Sequence, residues 1–321
     1  MTEPGTRVGD GEMDAEMSTA RAWLIASRPQ TLPAAAAPVI VGTGIAYAHG
    51  LFALLPALAA LGGALLIQIG TNFANDYYDA VQGADTESRE GFTRVTAGGL
   101  IAPERVKTAM WLTFATAVLA GIPLVYIGGL PIVVVGLASV AAGIAYTGGP
   151  YPLGYHGLGD VFVFVFFGLV AVTGTYYVQA TALIASPLPL TIPAGTIPLE
   201  VIIAALPVAA LSTNILVVNN VRDREEDAET GKRTLAVRYG YRFSRIQYLG
   251  LLGLAYIVPV WFAITTGSLW PLAPLATLPL AYRVASTVVT ETAGNQLNPA
   301  LEWTGRLLAA FAVLFGLGVA V

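Results

Sequence analysis

Two polar clusters with similar spacing carry the residues most suited to chemistry. They comprise Asn72, Asn75, Asp76, Asp79 and Asp85 in the first cluster, and Asn219, Asp223 and Asp227 in the second. In each cluster an asparagine precedes an aspartate by four residues, so the two side chains share one face if the segment is helical. Mg²⁺ prefers oxygen ligands and commonly binds one or two carboxylates together with substrate phosphates. The clusters therefore predict one magnesium–diphosphate site built from two helices.

Basic residues follow both clusters and favour the same chemistry. Arg89 and Arg94 come after the first cluster, and Lys232 and Arg233 come after the second. Acidic groups for a metal and basic groups for phosphate oxygens are the combination that a diphosphate requires. The alternative is that the acids are solvated helix ends and that the bases only orient the chain in a membrane. The matched pair of Asn–Asp clusters favours the functional interpretation.

A third segment, residues 146–160, is rich in glycine, proline and tyrosine and joins two apolar stretches. Tyr146 and Asp160 stand at its two ends and are candidate substrate-binding residues. The alternative for Asp160 is a purely structural one, because negative charge is favourable at the start of a helix. The stretch 161–167 that follows could line a tunnel for a lipid tail or could simply pack against other helices.

The overall composition places these clusters in a membrane protein. Of 321 residues, 55% are hydrophobic and 11% are charged, and the mean hydropathy is +0.69. Soluble proteins carry about 25% charged residues. Apolar runs of the length that a helix needs to cross a bilayer recur along the chain. The chain has no cysteine and only two histidines, His49 and His156, which excludes thiolate chemistry and argues against a histidine metal site.

The apolar runs predict an all-α protein with about nine transmembrane helices. The expected spans are 32–49, 51–79, 104–124, 129–147, 158–183, 199–221, 243–264, 269–287 and 303–321. Residues 1–19 are expected to form a disordered acidic tail, and residues 20–321 a single polytopic domain that begins with a short interfacial helix at 20–29. The two clusters then end spans two and six, which positions them at the same side of the membrane.

The distribution of charge predicts which side that is. All sixteen lysines and arginines fall on one side of the nine spans if the N-terminus is cytoplasmic. Cytoplasmic loops are enriched in these residues, so we expect a cytoplasmic N-terminus and a site that opens to the cytoplasm.

The clusters also share an offset of 147 residues from Asn72 and Asp76 to Asn219 and Asp223. This offset is consistent with a parallel internal repeat, although the matching segment is short.

These motifs resemble those of the UbiA-type intramembrane prenyltransferases. The resemblance rests on Asn75–Asp79 with Asp85, and on Asp223–Asp227. The branch that prenylates 1,4-dihydroxy-2-naphthoate in menaquinone biosynthesis is the most similar. The segments that point to this branch are 27–33, 93–100, 146–160 and 298–304. Phe92 and Asp160 stand where proline and glutamate are expected, which affects the fit of the acceptor rather than the chemistry.

The resemblance implies helices around a central chamber, a polyprenyl diphosphate donor bound through Mg²⁺ and membrane lipid as the surroundings. The acceptor 1,4-dihydroxy-2-naphthoate would lose CO₂ and yield demethylmenaquinol. The resemblance also assigns roles to particular residues. The metal ligands would be Asp76, Asp79, Asp223 and Asp227, with Asp85, Asn72 and Asn219 completing the set. Arg94, Lys232 and Arg233 would stabilise the leaving diphosphate, Arg28 would contact the acceptor carboxylate, and Asn75, Arg89, Tyr146 and Asp160 would contact substrate.

Two other classes of function remain open from the sequence. A cation-coupled transporter would also hold carboxylates in membrane helices, but it would place them near the bilayer midplane. Another UbiA-type enzyme could act on a different aromatic acid, a lipid ether or a chlorophyll-type acceptor. The sequence carries no signal for nucleic-acid binding.

Overall fold

The computed structural model describes residues 18–83 and 94–321, and every regular element in these two ranges is helical. Eight segments in them are long and apolar enough to cross a membrane. The elements are α1 (Thr19–Ser27), α2 (Leu32–Ala48), α3 (Leu54–Val81), α4 (Pro103–Ala145), α5 (Gly159–Val163), α6 (Ala171–Ile184), α7 (Leu199–Arg222), α8 (Arg224–Glu229), α9 (Leu235–Thr266), α10 (Leu278–Thr290) and α11 (Gly294–Ala320). A π-helix, Phe164–Val170, joins α5 to α6, and a 3₁₀-helix, Trp270–Thr277, leads into α10.

Helix α4 contains two of the nine expected spans. It has 43 residues, which as a straight helix would measure about 65 Å, twice the thickness of the hydrocarbon layer. The backbone at Gly129 is not helical (φ 62°, ψ −148°). On either side of this break, Phe114 and Gly143 approach each other beside Gly70 and Thr71 of α3. The segment therefore folds back on itself at Gly129, and the expected spans 104–124 and 129–147 are its two limbs.

The central helix of the bundle is α7, and small side chains let its neighbours approach closely. About 72% of its apolar window is buried, more than for the other candidate spans in the described ranges. A methyl group added at Gly168 of the π-helix would lie 2.1 Å from the Ala209 side chain of α7. Helices α2 and α11 meet in the same way at Gly44 and Gly316. Close backbone approach through small residues is how helices associate where water supplies no driving force.

The N-terminal helix α1 lies where the short interfacial helix was expected. It begins after Ser18, whose side chain accepts a hydrogen bond from the backbone N–H of Arg21, and ends at Ser27. Trp23 packs edge-on against Phe73 of α3, with the ring centroids 5.7 Å apart. The tail predicted at residues 1–19 lies almost entirely outside the described residues, so it stays a prediction.

Both acidic clusters lie at the ends of long helices. Asp76 and Asp79 are in the last turns of α3, which ends at Val81. Helix α7 ends at Arg222, and Asp223 is the junction between α7 and the short helix α8, which carries Asp227. The expected shared face holds for Asn219 and Asp223, whose side chains are hydrogen-bonded at 3.3 Å, while Asp227 follows them on α8. The chain turns at Asp223, so the second cluster is divided between two helices.

Candidate active site

A chamber of about 560 Å³ runs between the helices, and most of its wall is apolar. Helices α2, α3, α4, α7 and α11 contribute to this wall, together with the π-helix and α6. Ten of the residues singled out in the sequence line it: Arg28, Asn72, Asn75, Asp79, Arg94, Tyr146, Asn219, Asp223, Asp227 and Lys232. The charged residues of this group extend along the sequence from Arg28 to Lys232. The fold therefore collects them at one cavity.

Asp79 is buried and is contacted by side chains from other segments of the chain. It is 2% exposed. One carboxylate oxygen, Oδ2, accepts a hydrogen bond from the Arg94 guanidinium at 3.0 Å. The other, Oδ1, accepts one from the Tyr155 hydroxyl at 2.6 Å. Charge-assisted bonds of this kind hold a carboxylate in one orientation.

Lys232 joins the first cluster to the second. Its ammonium nitrogen lies 3.8 Å from Oδ1 of Asp79 and 3.8 Å from Oδ1 of Asp227. The same nitrogen lies 4.8 Å from the centre of the Tyr155 ring. The lysine is 9% exposed, so these charges interact in a partly desolvated environment where electrostatic attraction is strong. The ends of α3 and α8 therefore meet around one buried cation.

Asp76 and Asn72 point to different partners, although they are four residues apart on α3. The Asp76 carboxylate accepts hydrogen bonds from the backbone N–H of Thr96 at 3.1 Å and from its hydroxyl at 2.5 Å. It is buried but is not part of the chamber wall. The Asn72 amide instead donates to the carbonyl of Ser27 and to the hydroxyl of Thr31, both at 2.9 Å. In this structure Asp76 therefore anchors the segment that follows residue 94.

The second cluster contains a buried ion pair next to the chamber. Arg222 binds the Asp223 carboxylate through two nitrogens, at 2.6 and 2.8 Å. The same guanidinium donates to the side-chain oxygens of Asn219 at 2.8 Å and Asn298 at 3.0 Å. Both members of the ion pair have side chains less than 5% exposed. The orientation of the Asp223 carboxylate is thus fixed by Arg222, the residue that precedes it in sequence.

The loop between α4 and α5 is attached to both clusters. Thr147 donates to the Asn75 amide oxygen at 3.0 Å, and the backbone carbonyl of Tyr155 accepts from the N–H of Arg233 at 2.8 Å. Tyr146 stands at the start of this loop and lines the chamber. The loop brings its tyrosines to the acidic end of the chamber.

Several predicted site residues do not reach the chamber wall. Arg233 is exposed, and its backbone rather than its side chain contacts the loop. Asp160 is buried but accepts a hydrogen bond from Gln247 of α9 at 2.9 Å, outside the chamber lining. Asp85 and Arg89 lie outside the described residues.

The apolar part of the chamber includes much of the stretch that could line a lipid tunnel. Phe162 and Phe166 stack with ring centroids 5.8 Å apart, and both line the chamber together with Val163 and Phe167. Val161, in contrast, is 57% exposed and faces away. One face of this segment therefore lines the chamber, and its role as the wall of a lipid-tail tunnel stays a prediction.

Four contacts of the site were missed by sequence reasoning. Arg222 enters the sequence analysis only as one of the sixteen basic residues, although its position beside Asp223 is a signal. Asn298 lies in a segment that contributed to the resemblance but was given no role. Tyr155 lies in the loop rich in glycine and tyrosine, where nothing distinguished it from its neighbours. Thr96 belongs to a short polar turn, and only the folded chain shows that it binds Asp76.

The acidic residues of the chamber fit a divalent cation that a phosphate group helps to bind. Within residues 18–83 and 94–321, no three acidic or histidine side chains are close enough to form a metal site by themselves. Asp79 and Asp227 nevertheless both approach the Lys232 ammonium, so positive charge is favoured between them. Mg²⁺ typically takes one or two carboxylates and completes its ligands with substrate phosphates. The donor set therefore suits Mg²⁺ together with a diphosphate.

Comparison with known proteins agrees with this arrangement. Residues 35–319 match the UbiA prenyltransferase family. The 1,4-dihydroxy-2-naphthoate octaprenyltransferase of Mycobacterium tuberculosis (strain ATCC 25618 / H37Rv) is 37% identical over 297 residues, which cover 92% of this chain and 96% of that protein. The protein of the same name from Escherichia coli (strain K12) is 37% identical over 316 residues, covering 95% and 97%.

Solved structures share the fold at low sequence identity. A UbiA homolog from Aeropyrum pernix K1, in its apo form, has a TM-score of 0.68 at 13% identity and covers 89% of this chain and 96% of its own. A UbiA homolog from Archaeoglobus fulgidus bound to DMAPP and Mg²⁺ has a TM-score of 0.59 at 14% identity, covering 92% and 99%. With the family match extending over most of the chain, the protein belongs to the UbiA prenyltransferase family.

Proposed function

We propose that this protein transfers a polyprenyl group from polyprenyl diphosphate to 1,4-dihydroxy-2-naphthoate in a Mg²⁺-dependent reaction. The products are demethylmenaquinol, CO₂ and diphosphate. The observation that carries the proposal is the division of the chamber into two parts. One end holds Asp79, Asp227, Lys232 and Arg94, and the rest of the wall is mostly apolar. A polyprenyl diphosphate has the same division, with a charged head and a long apolar tail.

Asp79, Asp223 and Asp227 line the chamber and are the residues that we propose hold Mg²⁺, with Asn219 beside them and Asp85 as a further candidate. We also retain Asp76 and Asn72 as candidates that support these acids from the same helix. When bound, Mg²⁺ supplies positive charge to the diphosphate as a Lewis acid. Arg94 and Lys232 contribute further positive charge at the same place, which favours departure of the diphosphate. Arg233 is proposed to assist from outside the chamber wall, and Arg89, which lies outside the described residues, is retained as a further candidate.

The allylic cation that remains after diphosphate leaves must be protected from water. The apolar wall, including Phe162 and Phe166, excludes water from this part of the chamber. The ring carbon that bears the carboxylate then forms the new carbon–carbon bond. The carboxylate leaves as CO₂, and the electrons of the broken bond restore the aromatic ring.

The acceptor assignment is supported by the names of the relatives and by the polar residues of the chamber. Curated relatives at 34–37% identity, from four bacteria, act on 1,4-dihydroxy-2-naphthoate according to their names. We propose that Arg28 binds the acceptor carboxylate, since it lines the chamber on the side of α1 and α2. Asn75 and Tyr146 are proposed to contact substrate between Arg28 and the acidic end, and Asp160 to support the loop through Gln247.

We further propose that the protein lies in the cell membrane with its N-terminus and the acidic end of the chamber at the cytoplasmic side. The support is the asymmetry of charge, because all sixteen lysines and arginines fall on one side of the predicted spans. Residues 20–321 are proposed to act as one domain, preceded by a short acidic tail.

The test of function is product formation by the purified protein. Polyprenyl diphosphate and 1,4-dihydroxy-2-naphthoate are supplied with and without Mg²⁺, and both prenylated naphthoquinol and CO₂ are measured. Mg²⁺-dependent formation of both products is expected. Prenylation of another aromatic or lipid acceptor instead would overturn the acceptor assignment, and no diphosphate release with any acceptor would overturn the proposed activity.

A further inference from the structure

A closed network of side-chain amides and a hydroxyl lies in the chamber wall between α1 and α3. Thr31 is at its centre. Its hydroxyl donates to the carbonyl of Arg28 at 2.9 Å and accepts from Gln68 at 3.0 Å and from Asn72 at 2.9 Å. A hydroxyl has one proton and two lone pairs, so Thr31 has no further capacity.

The two amides of the network are also largely saturated. The Asn72 amide nitrogen uses both of its hydrogens, one toward Thr31 and one toward the carbonyl of Ser27. The Gln68 amide nitrogen donates to Thr31 and, at 3.4 Å, to the oxygen of Asn72. If the Gln68 amide were rotated by 180°, its oxygen would face the oxygen of Asn72. The network therefore fixes which way the Gln68 oxygen points.

That oxygen, Oε1 of Gln68, is a hydrogen-bond acceptor that the network leaves unused. It is buried and has no hydrogen-bond partner among the described residues. Gln68 as a whole is 7% exposed and lines the chamber. A buried acceptor without a partner is costly, and native structures keep few of them. A donor brought by a ligand would satisfy it.

The position of Gln68 matches an acceptor bound beyond the diphosphate. Gln68 precedes Asp79 by eleven residues, a rise of about 16 Å along α3. This separation leaves room for a diphosphate at Asp79 and an aromatic ring system between the two residues. The carbonyl of Arg28 is linked to Gln68 through Thr31, so the residue proposed for the acceptor carboxylate and Gln68 belong to one connected wall.

We infer that Gln68 Oε1 accepts a hydrogen bond from a phenolic hydroxyl of the acceptor, which makes Gln68 a specificity-determining residue. The inference rests on the proposed function. In a 1,4-dihydroxy-2-naphthoate the hydroxyl next to the carboxylate can donate to that carboxylate within the molecule. The hydroxyl at position 4 has no such internal partner. Gln68 therefore selects acceptors that carry a hydroxyl at that position.

The experiment compares two aromatic ligands that differ in this hydroxyl alone. The Michaelis constant is measured for the dihydroxy acceptor, and the inhibition constant is measured for 1-hydroxy-2-naphthoate, which lacks the 4-hydroxyl. In the wild type we expect the second ligand to bind about fivefold more weakly or worse, as the loss of one hydrogen bond implies. In Gln68→Met, which has nearly the same shape and no amide, this preference is expected to disappear while the Michaelis constant for the donor changes less than about twofold.

Gln82→Met is the matched control, because Gln82 is near the end of the same helix and donates to the carbonyl of Thr147 instead. It should keep the wild-type preference for the 4-hydroxyl. In Gln68→Asn the amide is one methylene closer to the backbone, so this variant should also lose the preference for the 4-hydroxyl. It replaces Gln68→Met in the experiment if the methionine variant does not fold.

Retention of the preference in the Gln68 variants would overturn the inference, even if their turnover is lower. Absence of prenyl transfer by the wild-type protein with 1,4-dihydroxy-2-naphthoate is a different result. It would overturn the proposed function, and the hydroxyl assignment with it.

Discussion

At the scale of single residues, the buried pair of Arg222 and Asp223 changes how the second acidic cluster is understood. A buried charge is tolerated only when its partner is well placed and hydrogen-bonded. Here the guanidinium contacts both oxygens of Asp223 and is itself held by Asn219 and Asn298. Asp223 therefore has its orientation set by α7 and α11 together, before any ligand arrives.

Replacement of Arg222 by leucine should strongly destabilise the protein. The change leaves the Asp223 charge buried without its main partner, and such a loss costs about 3–5 kcal/mol. Thermal unfolding in detergent would measure it. Addition of Asp223→Asn to the same chain should recover part of the loss, because the uncompensated charge is removed.

The control for this prediction is Glu104→Gln. Glu104 faces Lys107 at 3.9 Å on the surface, where both side chains are well exposed. Exposed ion pairs contribute about 0–1 kcal/mol. If both single variants unfolded at the same temperature, the buried pair would not have the role given to it here.

Tyr155 is expected to matter through its hydroxyl alone. Tyr155→Phe removes the hydrogen bond to Asp79 and keeps the ring beneath Lys232. Because a hydrogen bond to a charged group contributes about 1.5–3 kcal/mol, we expect turnover to fall about tenfold or more. The measurement is kcat with saturating donor. Tyr151→Phe in the same loop, where the ring is 55% exposed, should have little effect; an equal loss in both variants would contradict this role.

Residue chemistry was predictable from the sequence only where spacing revealed it. Asp79, Asp227, Arg94 and Lys232 were predictable, because Asn–Asp spacing and neighbouring cations have a direct chemical meaning. The partners that orient them were not, since Thr96 and Asn298 are polar residues of ordinary type. They reach Asp76 and Arg222 across 20 and 76 positions of sequence, and such contacts depend on how the helices pack.

At the scale of helices, the length of the apolar runs predicted the membrane spans well, but it did not predict where the helices are interrupted. Each expected span corresponds to a helix, a limb of one or a run of consecutive helical elements, because about twenty apolar residues are needed to cross hydrocarbon. The turn at Asp223 and the π-helix at 164–170 were not expected. Both depend on local hydrogen bonding and on packing against α7, which hydropathy does not report.

Gly129 should be among the least replaceable residues of α4. A Cβ atom there would lie 1.9 Å from the carbonyl oxygen of Pro189, and the backbone has φ 62°, ψ −148°. Backbone conformations of this kind cost non-glycine residues about 1–3 kcal/mol even without a clash. We therefore expect Gly129→Ala to lower the melting temperature markedly or to prevent folding.

Gly253→Ala is the comparison for this change. Gly253 lies within helix α9, and a Cβ atom there would meet nothing within 4 Å. Alanine is favoured over glycine inside helices by about 0.5–1 kcal/mol, so this variant should be neutral or slightly stabilised. A Gly129→Ala protein as stable as the Gly253→Ala protein would show that the fold tolerates a side chain at the turn.

At the scale of the whole molecule, the acidic end of the chamber is collected from helices α3, α7 and α8 and from three connecting segments, which carry Arg94, Tyr155 and Lys232. The resemblance to UbiA-type enzymes implied such a chamber, and the fold agrees with solved UbiA homologs. The assignment of the ends to the two sides of a membrane rests on charge alone, because helix packing is the same in either orientation.

The absence of cysteine makes this orientation directly testable. Single cysteines would be placed at Glu229, beside the acidic end, and at Ser186, before α7 and therefore at the other end of that helix. Both positions are exposed. In intact cells a membrane-impermeant maleimide should label the protein with Ser186→Cys and not the one with Glu229→Cys. The opposite pattern would place the acidic end outside the cytoplasm.

The turn at Gly129 also constrains how the chain enters the membrane during synthesis. A single residue joins the two limbs of α4, and Leu130 is hydrogen-bonded at once to the carbonyl of Pro189. A connection this short provides no hydrophilic loop that could wait at the bilayer surface between two separate crossings. The two limbs must therefore be delivered to the lipid as one hairpin. A ribosome that stalls between them would leave the first limb without the second limb that packs against it.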